Sequence, residues 1–108
     1  MFARTVRMEL KPNSVTEFTQ LLEKDVIPTL RKQHGFKDEI ACVPTDGREA
    51  VAISLWEEKE NAESYNRSIY PEVLKTLAKV IVGTPRVDTL EVTNSTFHKI
   101  AARQAVAV

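Results

Sequence analysis

With 108 residues, the chain has room for one hydrophobic core. Fifteen basic and fifteen acidic side chains cancel to a net charge of zero and form no basic stripe, so neither nucleic acid nor an anionic membrane is an expected partner. No apolar run approaches the roughly 20 residues of a spanning helix, the first residues do not read as a signal peptide, and the lone Cys42 excludes an internal disulfide, which together predict a cytoplasmic setting.

Phe2 to Leu10 alternates as a first strand, with Phe2, Val6, Met8 and Leu10 on the face that Arg4 shares. A cation in that row has two readings. Its stem snorkels to the sheet edge, or its head is held in a cleft for an anionic ligand group. Lys11-Pro12-Asn13 is a turn, and Ser14 to Glu17 has capping-box spacing. Val15, Phe18, Leu21, Leu22, Val26, Ile27 and Leu30 then recur at three and four, an amphipathic helix to about Lys32. Pro28 inside that pattern predicts a kink or break near Asp25. Gly35 closes the helix, with His34 at the surface of its last turn. Phe36 to Val43 is a second strand, with Phe36, Asp38, Ile40 and Cys42 on one face and Lys37, Glu39, Ala41 and Val43 on the other. Its charged first half predicts an edge position. Cys42 has no basic neighbour and reads as a buried, inert thiol.

After a hairpin loop at Pro44 to Arg48, Ala50 to Trp56 is a strand without a single charge, hence covered on both faces. Val51, Ile53 and Leu55 form one face; Ala50, Ala52, Ser54 and Trp56 form the other. Small residues leading to the chain's only Trp predict space beside the indole. The following polar segment is helix-compatible, with Ala62, Tyr65 and Ile69 facing inward. The simplest expectation for Tyr65 and Tyr70 is rings over the helix–sheet gap and hydroxyls at the surface. Pro71 opens a further helix with the inner stripe Val73, Leu74, Leu77, Val80 and Ile81. Gly83-Thr84-Pro85 ends it, and Val87 to Thr93 is the fourth strand. Phe97 and Ile100 extend that strand or pack an arm on a neighbour, with His98 exposed. Residues 1–100 are thus read as a single domain and 101–108 as a flexible tail.

Strand, helix, two strands, broken helix and strand form the split β-α-β order of an α+β, ferredoxin-like fold with a four-stranded antiparallel sheet. Right-handed crossovers put the first and third strands in its middle. All helices then cover one face. The apolar residues of the other need a cover, most simply a second copy about a two-fold axis, so a homodimer through the open sheet face is expected.

At this point the residues carry a resemblance. Val26 to Phe36, with Pro28, Leu30, Arg31, Gly35 and Phe36, resembles the "P-x-L-R-x-x-x-G-F" segment of antibiotic biosynthesis monooxygenase-like domains. Ile53 to Glu57 resembles that family's strand ending in Trp; Tyr70 to Leu74 and Gly83 to Val87 resemble its closing helix and final strand. The resemblance implies a dimeric α/β barrel and, in one branch, cofactor-independent oxygenation of phenolic or quinol substrates. There the substrate anion itself reduces dioxygen in a dry pocket. Trp56, Asn66 and Arg4 are then the candidate catalytic groups, with Tyr65, Tyr70, Ser54 and Ala52 lining the site of an aromatic small molecule, and no cofactor or metal. Two alternatives stay open. One is a non-catalytic dimeric module for binding or structure. The other is haem degradation, disfavoured because Asn66 stands where that branch has its haem histidine, and because only Thr5 or the adjoining Arg4 stands where it has a strand-one Asn. No His, Cys, Asp and Glu cluster has metal-ligand spacing, no Gly-rich phosphate loop exists, and two scattered histidines define no triad.

Overall fold

The computed structural model describes residues 1–98 and Ile100; the expected tail at 101–108 lies outside the described residues. In chain order the elements are β1 (Phe2–Leu10), α1 (Val15–Leu21), a π-helical segment (Leu22–Val26), α2 (Ile27–Arg31), β2 (Phe36–Cys42), β3 (Glu49–Trp56), α3 (Lys59–Ser68), α4 (Tyr70–Leu77) and β4 (Ile81–Glu91). The four strands form one antiparallel sheet in the order β2-β3-β1-β4. This is the expected α+β, ferredoxin-like arrangement, with β1 and β3 central and the helices on one face.

The break expected near Asp25 takes a defined form. Pro28 has no N–H to give to the Lys24 carbonyl, and its ring would press on that carbonyl in a regular helix. The chain widens instead over Leu22–Val26, and the Ile27 N–H reaches back to the Leu22 carbonyl, one residue further than in an α-helix. Phe18, Leu22, Val26 and Leu30 still reach the core, because the extra residue is absorbed between the two α-helical pieces. Ser14 does not form the expected capping box; its hydroxyl donates weakly to the Pro12 carbonyl at 3.4 Å. A capping box occurs at α3 instead, where the Glu58 N–H donates to Asn61 Oδ1 at 3.0 Å. Gly35 sits beside it at φ +81°, and a Cβ there would run into the Asn61 side chain, so this helix end requires glycine.

Four further expectations change. The last helix stops at Leu77, and Ile81, expected on its stripe, starts β4 opposite Leu10. Gly83-Thr84-Pro85 does not end a helix; the three residues bulge out of β4 opposite Met8 alone, on an edge strand where proline costs no ladder bond. In β2 a register shift between Phe36 and Asp38 returns Phe36 to the helix side, opposite Trp56, together with Glu39 and Ala41. Cys42 is exposed rather than buried, on the far face opposite Val51.

That far face carries Ile40, Val51, Ile53, Leu55, Val82 and Leu90, and Ile40 and Leu90 are 57% and 53% exposed. After β4 the chain turns back through a bridge between Ser95 and Ile100. His98, expected exposed, is half-buried with its Nε2 against the Asp38 carboxylate of β2, while Phe97 is exposed. The segment thus packs on its own β2 rather than extending β4.

Candidate active site

Between the helices and the sheet lies one transverse row of polar side chains. β1 brings Arg4 opposite Ser54 of β3, and β3 brings Ser54 opposite Glu39 of β2. The row is set entirely by strand register, and every neighbour of it along the strands is apolar: Val6, Met8, Ala52 and Trp56. Over it lie Tyr65 of α3 and Tyr70 of α4.

Arg4 does not snorkel; it is 3% exposed. Its Nη2 donates to Asn66 Oδ1 at 2.7 Å, so the amide of α3 holds one edge of the guanidinium. Its Cζ lies 4.1 Å from the Tyr70 ring centroid and 5.1 Å from that of Tyr65, two cation–π contacts in a desolvated place. Among the described residues neither its buried Nε nor the buried Tyr70 hydroxyl makes a well-formed hydrogen bond, although guanidinium and hydroxyl lie close enough to affect each other's pKa. Burial pushes the guanidinium's pKa down, against the two tyrosines, which act to raise it; a guanidinium nonetheless stays charged at any ordinary pH.

Trp56 is fully buried, and the space expected beside it is filled. Phe36 meets it edge-on at 5.6 Å and Tyr65 lies tilted against it at 5.2 Å. Its Nε1 donates to Ser54 Oγ at 2.8 Å, which fixes that hydroxyl beneath the row. Trp56 therefore supports the floor from behind. The open space begins one residue earlier, over Ala52 and Ser54. It is a narrow cavity of about 40 Å³ touched by Arg4, Glu39, Tyr65 and Tyr70, with apolar walls from β1, α4 and Leu22, Val26 and Leu30 of the broken helix. A larger open groove of about 690 Å³ lies at the other end, between the β1–α1 turn and the β2–β3 loop. Mostly exposed residues line it, and its charged side chains, Glu9, Asp46 and Arg48, all lie open to water, so the smaller cavity is the candidate site.

Of the seven residues expected at a site, Arg4, Ala52, Ser54, Tyr65 and Tyr70 line this cavity, whereas Asn66 is exposed and reaches it through Arg4, and Trp56 through Ser54. Both tyrosines are buried, against the expectation of surface hydroxyls. Glu39 was missed. The signal was present: it shares a strand face with Ala41 and Val43, the same anomaly that drew attention to Arg4 in β1. Its charge is explained just as readily by an edge position, and that explanation hid it.

Burial raises the pKa of Tyr65 to about 12, with Arg4 opposing the shift, and raises that of Tyr70 by the same cause. These are the only two tyrosines in the chain. The neutral phenol is therefore favoured in the fold, so stability is fully present below about pH 10, where an unfolded tyrosine ionises, and is lost as pH rises toward about 12. An ultraviolet phenolate titration of the native chain is expected to show no ordinary step near pH 10. A full step there would mean that at least one hydroxyl reaches water.

No sequence-family model matches the chain, and no curated protein does. Solved structures do match. A monooxygenase of Streptomyces coelicolor in complex with nanaomycin D superposes with a TM-score of 0.74 at 18% identity, over 87% of this chain and 88% of that one. SnoaB, a cofactor-independent oxygenase from Streptomyces nogalater, gives 0.72 at 12% identity over 88% and 95%. A protein of unknown function from Nitrosomonas europaea gives 0.70 at 16% identity over 88% and 91%. The chain therefore has the ferredoxin-like fold of the antibiotic biosynthesis monooxygenase domains, as the resemblance in its sequence led one to expect. At such identities the likeness is one of fold, and the chemistry has to come from the residues of the cavity.

Proposed function

We propose that this chain is a monooxygenase-like protein that binds a small hydroxylated aromatic over Ala52 and Ser54 and lets its anion react with dioxygen. The observation that carries this reading is Arg4: a buried cation with an unpartnered Nε, at the edge of an apolar cavity under two tyrosine rings. A purely structural cation would be expected to have its donors satisfied. Arg4 would lower the energy of an anionic oxygen, and Ser54 and the Tyr70 hydroxyl would orient it. The balanced reaction is that of a phenol with dioxygen. The phenol loses its O–H hydrogen and one ring hydrogen, which leave with one oxygen atom as water; the other oxygen becomes the second carbonyl of a quinone. Four electrons pass from the ring to dioxygen, and no further reductant is consumed.

The test is oxygen uptake with a panel of simple phenols and quinols, each corrected for uncatalysed autoxidation. Uptake that depends on the chain and matches quinone formation is the expected result. Binding with no uptake above background would instead establish the second reading, a binding module without turnover. One observation favours that alternative: the walls close to about 40 Å³, while an aromatic ring takes a cavity on the order of 150 Å³. Entry therefore has to move a wall, and the π-helical segment that supplies Leu22 and Val26 is the least regular one.

Haem degradation gains no support. Asn66 is engaged with Arg4, His34 is exposed at the helix end, and His98 is held by Asp38 on the other face of the sheet. An unchanged Soret band on adding hemin is expected.

The far face of the sheet supports pairing with a second copy, since its exposed Ile40, Val82 and Leu90 surround the half-buried Val51, Ile53 and Leu55. Sedimentation showing only a 12.2 kDa species would contradict that pairing.

A further inference from the structure

An edge position accounts for the charge of Glu39, but not for its place on the helix side of β2, opposite Ser54. It is half-buried on the helix side of β2, facing the cavity, and its carboxylate has no hydrogen bond or ion pair among the described residues. Arg4 and Glu39 flank Ser54 from the two neighbouring strands, so their backbones stand two strand spacings apart, about 9.6 Å, across the cavity floor. They do not pair with each other, and the small residues Ala52 and Ser54 lie between them. A cation with a free donor at one end and a free carboxylate at the other define a site with two poles. An unpartnered carboxylate beside apolar walls costs stability, and a ligand hydroxyl would relieve that cost.

We propose that Glu39 is the hydrogen-bond and proton acceptor of this cavity, taking the hydroxyl of a one-ring aromatic whose opposite, acceptor or anionic edge is held by Arg4. The inference rests on the reading of the cavity as an aromatic site and adds polarity and size to it. In the proton step the O–H bond breaks, the proton passes to the Glu39 carboxylate, and the electron pair left on the phenol oxygen is delocalised through the ring toward the edge that Arg4 holds. β2 is an edge strand and Glu39 is only half-buried, so the proton can return to water. The titratable groups that face Glu39 are Arg4 from β1, Tyr65 from α3 and Tyr70 from α4; β3 and the broken helix present only Ala52, Ser54, Leu22, Val26 and Leu30. Burial raises the Glu39 pKa above the usual carboxylate value, which brings it nearer that of a phenol and makes it a better acceptor.

The experiment uses two probes, 4-hydroxybenzoate and 4-methoxybenzoate, which share the carboxylate for Arg4 and differ in the donor offered to Glu39. Dissociation constants are measured by calorimetry for the unaltered chain, Glu39→Leu and Glu39→Gln, with the thermal midpoint of each variant recorded. The unaltered chain is expected to prefer the hydroxyl compound by about tenfold or more. Glu39→Leu should bring the ratio near one; Glu39→Gln, which keeps an acceptor oxygen but no charge, should fall between. The preference should also fade as pH drops and Glu39 protonates, beginning above the usual carboxylate range. An unchanged ratio in folded Glu39→Leu, or no preference in the unaltered chain, overturns the role of Glu39 while leaving an Arg4-dependent aromatic site standing. If neither probe binds at all, both readings fall. If the preference is found and no phenol supports oxygen uptake, the two-pole site stands and the oxygenase reading alone fails.

Discussion

Trp56→Ala is expected to cost about 3–5 kcal/mol of folding stability, the usual price of deleting a large core aromatic. Trp56 is fully buried at the end of the central strand β3, with Phe36 against its edge and Tyr65 against its face. Its removal leaves a hole between β2 and α3 that neither ring can fill without leaving a strand or helix position. Ser54 also loses its 2.8 Å donor. Since a domain of this size is stable by only about 5–15 kcal/mol, a large share of the total is at stake. Urea unfolding measures it directly. A loss below about 1 kcal/mol would mean that the indole is not the core residue described here.

Arg4→Met is expected to do the opposite to stability and the greater harm to binding. Exchanging a buried cation for an apolar side chain of similar length is often neutral or stabilising by about 1–4 kcal/mol, because the desolvation cost disappears. Little is orphaned by the exchange, because Asn66 is exposed and its Oδ1 can turn to water. Among the described residues the Tyr70 hydroxyl makes no well-formed hydrogen bond, so it loses at most a weak contact with the guanidinium. Affinity for a phenolate or benzoate, by contrast, should fall about tenfold or more with the loss of a charge-assisted bond in a cavity with apolar walls. A residue whose removal helps the fold and harms binding is one kept for the ligand.

The sequence made the architecture legible wherever a residue type had a single physical meaning. The uncharged run Ala50 to Trp56 had to be a central strand. Pro28 had to disturb its helix, though not by which device; that Leu22–Val26 would widen rather than stop depends on the core holding Phe18 and Leu30 in place on both sides. Legibility failed where two physical readings share one pattern. Val80 and Ile81 continue the spacing of α4 and equally begin a strand, and only the pairing of Ile81 with Leu10 decides between them. Phe36 obeyed alternation on paper, but a single bulge moved it to the other face, where it fills the space expected beside Trp56. Cys42 looked buried because thiols usually are, while the face it belongs to is the open one.

The site divides in the same way. Arg4 was visible as the one charge in an apolar row, and the register then supplied its neighbours. Asn66 is exposed and accepts from Arg4, an arrangement that depends on which way α3 lies over β1. Glu39 stayed hidden because an edge strand accounts for a charge without any function.

The central claim is that Arg4 is retained for an anionic aromatic and not for the fold, and a single comparison tests it most directly. Thermal midpoint and 4-hydroxybenzoate affinity are measured side by side for the unaltered chain and Arg4→Met. The expected result is an equal or higher midpoint with binding weakened about tenfold or more. A variant that loses several kcal/mol of stability, or one that stays folded and binds as tightly as before, would contradict the claim and make Arg4 a structural residue of the helix–sheet interface.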